Sequence, residues 1–393
     1  MRRFLTFVMV LLVVSIGIVP DPRSNAALAL TDQRDRSQPM LDRVPTAFVE
    51  GTWNPTINML DMKINSMAVA NERVYIIAWV DGPNSEPQAL RAWNPLTQQW
   101  TVLQANTASN SWTKLQTGRD GRLYALHTIY GSSGTVPQRL VSTFNGSEWV
   151  DVTPVAPLPG NSFNSYIALS NTEIYMIDNN RSLLIWNGTT WTIKQTHEDG
   201  PGIEGIADLQ HCGDGIYFTY VEAMQVNEHV VVTLEELRKY TPATGTIAAS
   251  GGRVKMAICE GNNRYSFIKE KIYFELANTP TRTFTASYAT SSTIPWVRAM
   301  VRIGGYIYVT GNFDTVDGVK TGNIARWNGS RWEGLGPEFS PYRVSTDAIV
   351  GLGHQVYVAG FYLESGTGDG RHIAAWAPTM PYTTYNPLVI QKP

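Results

Sequence analysis

One short phrase recurs along this chain and restricts what it can fold into: an aromatic residue, a tight polar turn, then a second aromatic. It reads Trp93-Asn-Pro-Leu-Thr-Gln-Gln-Trp100 and then Phe144-Asn-Gly-Ser-Glu-Trp149. It returns as Trp186-Asn-Gly-Thr-Thr-Trp191 and as Trp327-Asn-Gly-Ser-Arg-Trp332. A phrase that comes back every 40 to 55 residues or so marks a repeat architecture, in which no unit buries its apolar face except against its neighbours. The 393 residues are long for one ordinary domain, but arrays of this kind grow by adding units.

Between the double-aromatic phrases lies a second one. It is an apolar strand, a short turn, and a strand of the form aliphatic-Tyr-aliphatic. Examples are Met67-Ala-Val before Val74-Tyr-Ile, Ile167-Ala-Leu before Ile174-Tyr-Met, and Ala348-Ile-Val before Val356-Tyr-Val. Runs of β-formers bounded by Asn, Asp and Gly predict hairpins. Each unit then holds four strands: A is the apolar piece, B carries the Tyr, C ends in the first aromatic and D starts at the second. The C-strand aromatics fall at Trp93, Phe144, Trp186, Tyr240, Trp327 and Trp376. The gap from Tyr240 to Trp327 is nearly twice the others. A degenerate unit fits there, from Val254 to Tyr288, with Ile272-Tyr-Phe as its B strand. The expected fold is all-β, a seven-bladed β-propeller of four-stranded antiparallel blades, spanning residues 46–386 and leaving a tail at 387–393. Two segments compete to close the ring, Phe48-Val-Glu-Gly-Thr-Trp53 ahead of the first A strand and Tyr382-Thr-Thr-Tyr385 after the last C strand.

At these residues the chain resembles propeller repeats of the kelch-like, galactose-oxidase-like superfamily, and within it the repeats of cortical cell-polarity marker proteins. The resemblance is sharpest in Ile307-Tyr-Val-Thr-Gly-Asn-Phe313 and Asn323-Ile-Ala-Arg-Trp-Asn-Gly-Ser-Arg-Trp-Glu-Gly-Leu-Gly336, while Ala92–Leu103 looks more like a kelch repeat. The kelch Gly-Gly after strand B is absent, and Gly311 and Gly360 stand there alone. Neither motif carries catalytic residues, so the resemblance implies a fold and a binding role.

The N-terminus has the grammar of an export signal. Arg2 and Arg3 precede an apolar run from Phe4 to Val19, and Ala27-Leu-Ala29 offers a small-x-small cleavage site. The run falls just short of the 17 to 25 residues or so that span a bilayer. Residues 1–29 are therefore expected to be a signal peptide, with an uncleaved anchor as the rival reading, and residues 30–45 a polar leader. The expected location is secreted or extracytoplasmic, free of the membrane once the signal is cleaved. Cys212 and Cys259 each end an apolar stretch and lie about one repeat apart. On consecutive innermost strands they face each other across a blade boundary, where an exported protein permits a disulfide; two buried free thiols are the alternative.

Charged residues make up 16% of the chain and nearly cancel, at a net −2, so there is no electrostatic footprint for nucleic acid. Nothing in the sequence announces a reaction or a cofactor. His211 and Cys212 adjoin on a strand and point to opposite faces. Asp314 and Asp317 offer two carboxylates but lack the further ligands of a calcium loop, so no metal site is assigned. Function is instead expected in loops. The A–B and C–D turns are short. The B–C loops (Asp81 to Ala89, Tyr130 to Gln138, Phe313 to Asn323, Phe361 to Arg371) and the D–A links (Thr153 to Ser165, Gly336 to Thr346) are long. In a propeller these two sets emerge on one face, where a rigid scaffold presents them. The ligand-binding candidates on that face are Phe163, Tyr166, His197, Trp296, Arg298, Tyr342 and Arg343. An aromatic beside an Arg suits a sugar ring or a carboxylate. The chain is expected to be a monomeric, non-enzymatic module for a protein or carbohydrate ligand. A glycan-processing hydrolase or lyase at the channel mouth is the alternative.

Overall fold

The computed structural model describes residues 51–54, 62–80, 88–107, 109–131, 137–156, 163–178, 182–195, 203–226, 229–252, 254–288, 295–335, 345–364 and 370–378. They form seven antiparallel sheets and no helix. Blade 1 runs Met62–Ala70, Arg73–Val80, Ala89–Asn94 and Gln99–Ala105. Blade 2 runs Asn110–Thr117, Leu123–Ile129, Gln138–Phe144 and Trp149–Asp151. Blade 3 takes Phe163–Ser170, Glu173–Asp178, Ser182–Trp186 and Trp191–Gln195. Blade 4 takes Ile203–Cys212, Gly215–Val226, His229–Thr241 and Thr246–Gly252. Blade 5 is Lys255–Glu260, Asn263–Ile268, Lys271–Glu275 and Arg282–Ser287. Blade 6 is Trp296–Ile303, Tyr306–Asn312, Ile324–Trp327 and Trp332–Gly334. Blade 7 takes Ser345–Leu352, Gln355–Glu364 and Gly370–Pro378, and its outer strand is the N-terminal Gly51–Asn54. Each A strand touches the A strands on both sides, which closes the ring. Of the two closing candidates the N-terminal one is paired; Tyr382–Tyr385 lies outside the described residues.

The recurrent phrases acquire physical meaning here. The two aromatics of the first phrase sit opposite each other across the C–D turn, as in Trp93↔Trp100, Phe144↔Trp149, Trp186↔Trp191 and Trp327↔Trp332. Their ring centroids are 5.3–5.5 Å apart, so each pair clamps its hairpin by cross-strand ring contact. The B-strand tyrosines Tyr75, Tyr124, Tyr175, Tyr217, Tyr265, Tyr308 and Tyr357 are all buried, one per blade. Several of their hydroxyls bond at or beside the A–B turns: Tyr124 to Asp120 and Asn171, Tyr175 to Glu173, Tyr357 to Gln355.

Blade 5 corrects one expectation. Its B strand is Asn263–Ile268, carrying Tyr265, and Ile272-Tyr-Phe belongs to strand C. The Phe313–Asn323 loop of blade 6 also contains a β-hairpin, Thr315–Val316 with Val319–Lys320, which pairs with the outer strand of blade 5 and extends that sheet to six strands. Asp317 and Gly318 have φ of 49° and 77°, the positive pair of a type I′ turn. Asp317 accepts the Thr285 amide at 2.8 Å, and Asp314 donates its own amide to Ser287 at 2.9 Å. The acidic pair that drew attention in the sequence therefore does hairpin chemistry.

The boundary between blades 4 and 5 has the sparsest apolar core among the described side chains: Cys212, Tyr217 and Leu237, with Val254 and Cys259 packed against them. The blade 5–6 boundary gathers fifteen buried residues. Polar and covalent contacts also cross or flank this boundary. Arg264 lies 5.2 Å from the Tyr217 ring and Lys239 lies 5.8 Å from it, with Lys239 also bonded to Asp214 at 2.7 Å. Cys212 and Cys259 sit at this boundary with their Cα atoms 5.2 Å apart and their sulfurs joined.

Candidate functional site

A backbone irregularity recurs around the channel. Every A–B strand pair carries a register shift in its innermost strand. In blades 1, 3, 6 and 7 it occurs at the same step, between the second and third residues beyond the B-strand tyrosine. The extra residue there is Asn65, Asn164, Arg298 or Asp347. A bulge re-aims the strand that holds it, and bulges favour rims and functional sites. Gly311 explains how the blade 6 bulge fits. A Cβ on Gly311 would lie 2.0 Å from the Trp296 carbonyl oxygen, so only glycine lets strand B approach strand A there.

Trp296 opens that A strand and is 39% exposed, although most tryptophans of this chain are inter-strand packing groups. The Arg298 guanidinium lies 5.6 Å from its ring, a cation–π arrangement. The two residues lie on either side of Val297, which is buried and pins the strand. An indole face next to a cation, on a strand fixed by bulge and glycine, forms a rigid polar-aromatic corner at the long-loop end of the channel.

The other candidates divide. Tyr166 is buried in the blade 2–3 core, its hydroxyl donates to the Lys114 carbonyl at 2.7 Å, and burial pushes its phenol well above the ordinary value. It wedges two blades together. Phe163 starts strand A of blade 3, and nothing is described of its side chain. His197, Tyr342 and Arg343 lie outside the described residues.

A second polar group, missed in the sequence, lies at the long-loop end of blade 2. His127 Nδ1 is 3.1 Å from Asp151 Oδ1, and its Nε2 is 3.1 Å from Asn110 Oδ1. Ser142 donates to the same Asp151 oxygen at 2.6 Å. The imidazole stacks on Trp112 with centroids 4.6 Å apart. The residue types suggest a nucleophile, base and orienter, but the geometry refuses the roles. Ser142 is fully buried and bonded to the acid rather than to the histidine, so no hydroxyl faces a base. The group is a hydrogen-bonded ladder across all four strands. Its members are far apart in sequence, and the alternation of single strands gave no signal for it.

On the opposite mouth, His211 is the penultimate residue of strand A of blade 4, near Arg119, Glu173 and Asp214. Burial first, and then the Arg119 charge, lower its pKa, and its Nδ1 is buried without a hydrogen-bond partner. Among the described residues no group of three or more His, Cys, Asp or Glu converges as a metal site would require.

No protein-family model matches the chain, and no curated protein matches it. Solved structures do. A YCF48 protein bound to a D1 peptide is 15% identical, covers 88% of this chain and 100% of its own, and gives a TM-score of 0.50. The β-propeller domain of the Trilobed protease from Pyrococcus furiosus is 10% identical, covers 86% of this chain and 100% of its own, and gives 0.51. A streptogramin B lyase is 10% identical, covers 84% of this chain and 97% of its own, and gives 0.50. At such identities the likeness shows the fold. Because the matches include both a peptide complex and a lyase, the fold does not choose between binding and catalysis.

Proposed function

We propose that this chain is an exported, kelch-like propeller that binds a protein or carbohydrate ligand on its long-loop face without transforming it. The observation that carries the reading is the Trp296–Arg298 corner: a large exposed ring beside a cation, fixed by the blade 6 bulge at the channel mouth. An indole face takes the C–H face of a sugar or an apolar side chain, and the guanidinium takes a carboxylate or hydroxyl oxygen. The only described grouping with the residue types of hydrolytic catalysis, in blade 2, is spent on internal hydrogen bonds. Export rests on the apolar run from Phe4 to Val19 and the Ala27-Leu-Ala29 site.

A glycan and peptide array probed with the purified chain tests this directly. Trp296→Ala is expected to weaken binding to any hit by about 1–3 kcal/mol with the melting temperature unchanged, as for an exposed aromatic hot spot. Arg298→Lys is expected to weaken it as well, because an ammonium does not reproduce the planar stacked guanidinium. A normal array profile from a Trp296→Ala protein that melts several degrees early would make the indole an inter-blade wedge and sink the reading. Turnover of an array glycan would instead support the enzymatic alternative.

A further inference from the structure

Strands B and C of blade 4 run on as a two-stranded arm. Among the described residues, strand A pairs no further than Ile203, opposite Ala223, and strand D no further than Gly252, opposite Glu236. Beyond these limits Met224 pairs with Val231, Gln225 with Val230 and Val226 with His229. Among the described residues nothing pairs with the outer edge of strand C from His229 to Glu235. That segment reads His-Val-Val-Val-Thr-Leu-Glu, and its stretch from Val230 to Thr233 is uncharged and wholly β-branched. A two-stranded hairpin is marginal alone, and an apolar unpaired edge is a template for another strand. At blade 5 the molecule covers an outer edge by strand addition from blade 6.

We propose that the arm joins two copies of this chain, edge to edge, through antiparallel pairing of His229–Glu235 with the same segment of a second copy about a two-fold axis at Val232. The segment is complementary to itself in that register. Val230 falls opposite Leu234, Val231 opposite Thr233, and His229 of each copy opposite Glu235 of the other. The pairing therefore sets apolar against β-branched residues and closes with an imidazole–carboxylate pair at each end, the cross-strand combinations that stabilise a sheet. Moving the axis by one residue, to Val231, sets Asn227 against Glu235 and Glu228 against Leu234 and loses both charge pairs. In the chosen register the next pair outward is Glu228 with Glu236, and the outer edge of Glu236 is already paired with Gly252 of strand D, so the ladder ends at Glu235. Such an interface is isologous and closes at two copies. It departs from the monomer expected from the repeats, which concern the ring and say nothing of the arm.

Analytical ultracentrifugation of the purified full chain at micromolar concentration is expected to show a dimer. Val232→Lys puts a charge on the edge at the axis, and it is expected to give a monomer whose melting temperature matches the wild type at low concentration. Since that change could disturb the arm itself, a charge exchange provides an independent check. His229→Glu faces Glu235 with a like charge and is expected to weaken dimerisation by about tenfold or more. H229E/E235H restores opposite charges and is expected to recover it. A wild-type monomer throughout, a folded Val232→Lys protein that still dimerises, or an H229E/E235H protein as weak as His229→Glu would each overturn the proposal.

Discussion

At the scale of the residue, the Asn-Gly of the C–D turns shows how one amide fixes a loop. The sequence suggests two-residue type I′ turns there. The loops are instead four residues long, and the asparagine does not adopt positive φ. Its side chain does the work: Asn328 Oδ1 accepts the amides of Ser330 at 2.9 Å and Arg331 at 3.0 Å, and Asn145 and Asn187 repeat the pattern. Asn94 does the same with Pro95 in place of glycine. Asn328→Ala should therefore cost about 0.5–1.5 kcal/mol, because the exposed amides of Ser330 and Arg331 turn to water in place of the side-chain acceptor. Gly329 sits at φ 96°, and a Cβ there meets nothing within 4 Å, so Gly329→Val should lower the melting temperature through backbone strain alone. An unchanged melting temperature in either variant would contradict this turn geometry. His211 supplies a pH dependence. Its folded pKa lies below the ordinary 6.5, so the unfolded chain takes up the proton more readily. The stability it contributes is present above about pH 6.5 and is lost as pH falls through the folded value. His211→Gln should flatten the acid side of a melting-temperature profile; a profile of unchanged slope would mean that other groups carry the acid loss.

At the scale of the element, local periodicity made the strands legible and long-range pairing decided what was not. The double-aromatic phrase located the C–D hairpins because both rings of a pair lie within one turn of chain. The fifth blade shows in the sequence as a gap, but the pattern places its B strand one strand too late, since Ile272-Tyr-Phe satisfies the B-strand pattern as well as Tyr265 and its neighbours do. The bulges gave almost no signal beyond Gly311 and Gly360, because a bulge is defined by the partner strand. The blade 4 arm was invisible for the same reason: an apolar run such as Val230–Leu234 carries no mark of where its blade ends. The candidate site was legible only as loop position, and Tyr166 shows the limit, since an aromatic at a strand start serves as a wedge or as a ligand platform depending on its neighbours. The cysteines bear on the blade boundary whose apolar core is sparsest among the described side chains. Labelling of the unfolded, unreduced protein is expected to find no free thiol, and C212S/C259S should lose about 2–4 kcal/mol. Two reactive thiols would rule the link out.

At the scale of the whole molecule, the question is what holds the ring shut. Blades 1 to 6 are each built from contiguous chain, apart from the strands that blade 6 lends to blade 5, and each can complete its four strands locally. Blade 7 cannot, because its three C-terminal strands take Gly51–Asn54 as their outer edge, with Gly51 opposite Pro378 and Asn54 opposite Ala375. The first described strand is thereby tied to the last, and the apolar cluster between blades 7 and 1, which includes Val74, Ile76, Trp93, Tyr357 and Ile373, is sealed only when both ends of the ring are held together. A chain lacking residues up to Asn54 would leave the edge of Gly370–Pro378 unpaired and let blades 7 and 1 part. A chain lacking residues 382–393 keeps every described strand. The N-terminal truncation is therefore expected to lower the melting temperature and to open the blade 7–blade 1 boundary first, read as early amide exchange in Val356–Ala359 and Val74–Ala78. The C-terminal truncation is expected to leave both unchanged. The reverse result, with the C-terminal truncation the more damaging, would mean that Tyr382–Tyr385 completes blade 7 and that the N-terminal strand is dispensable.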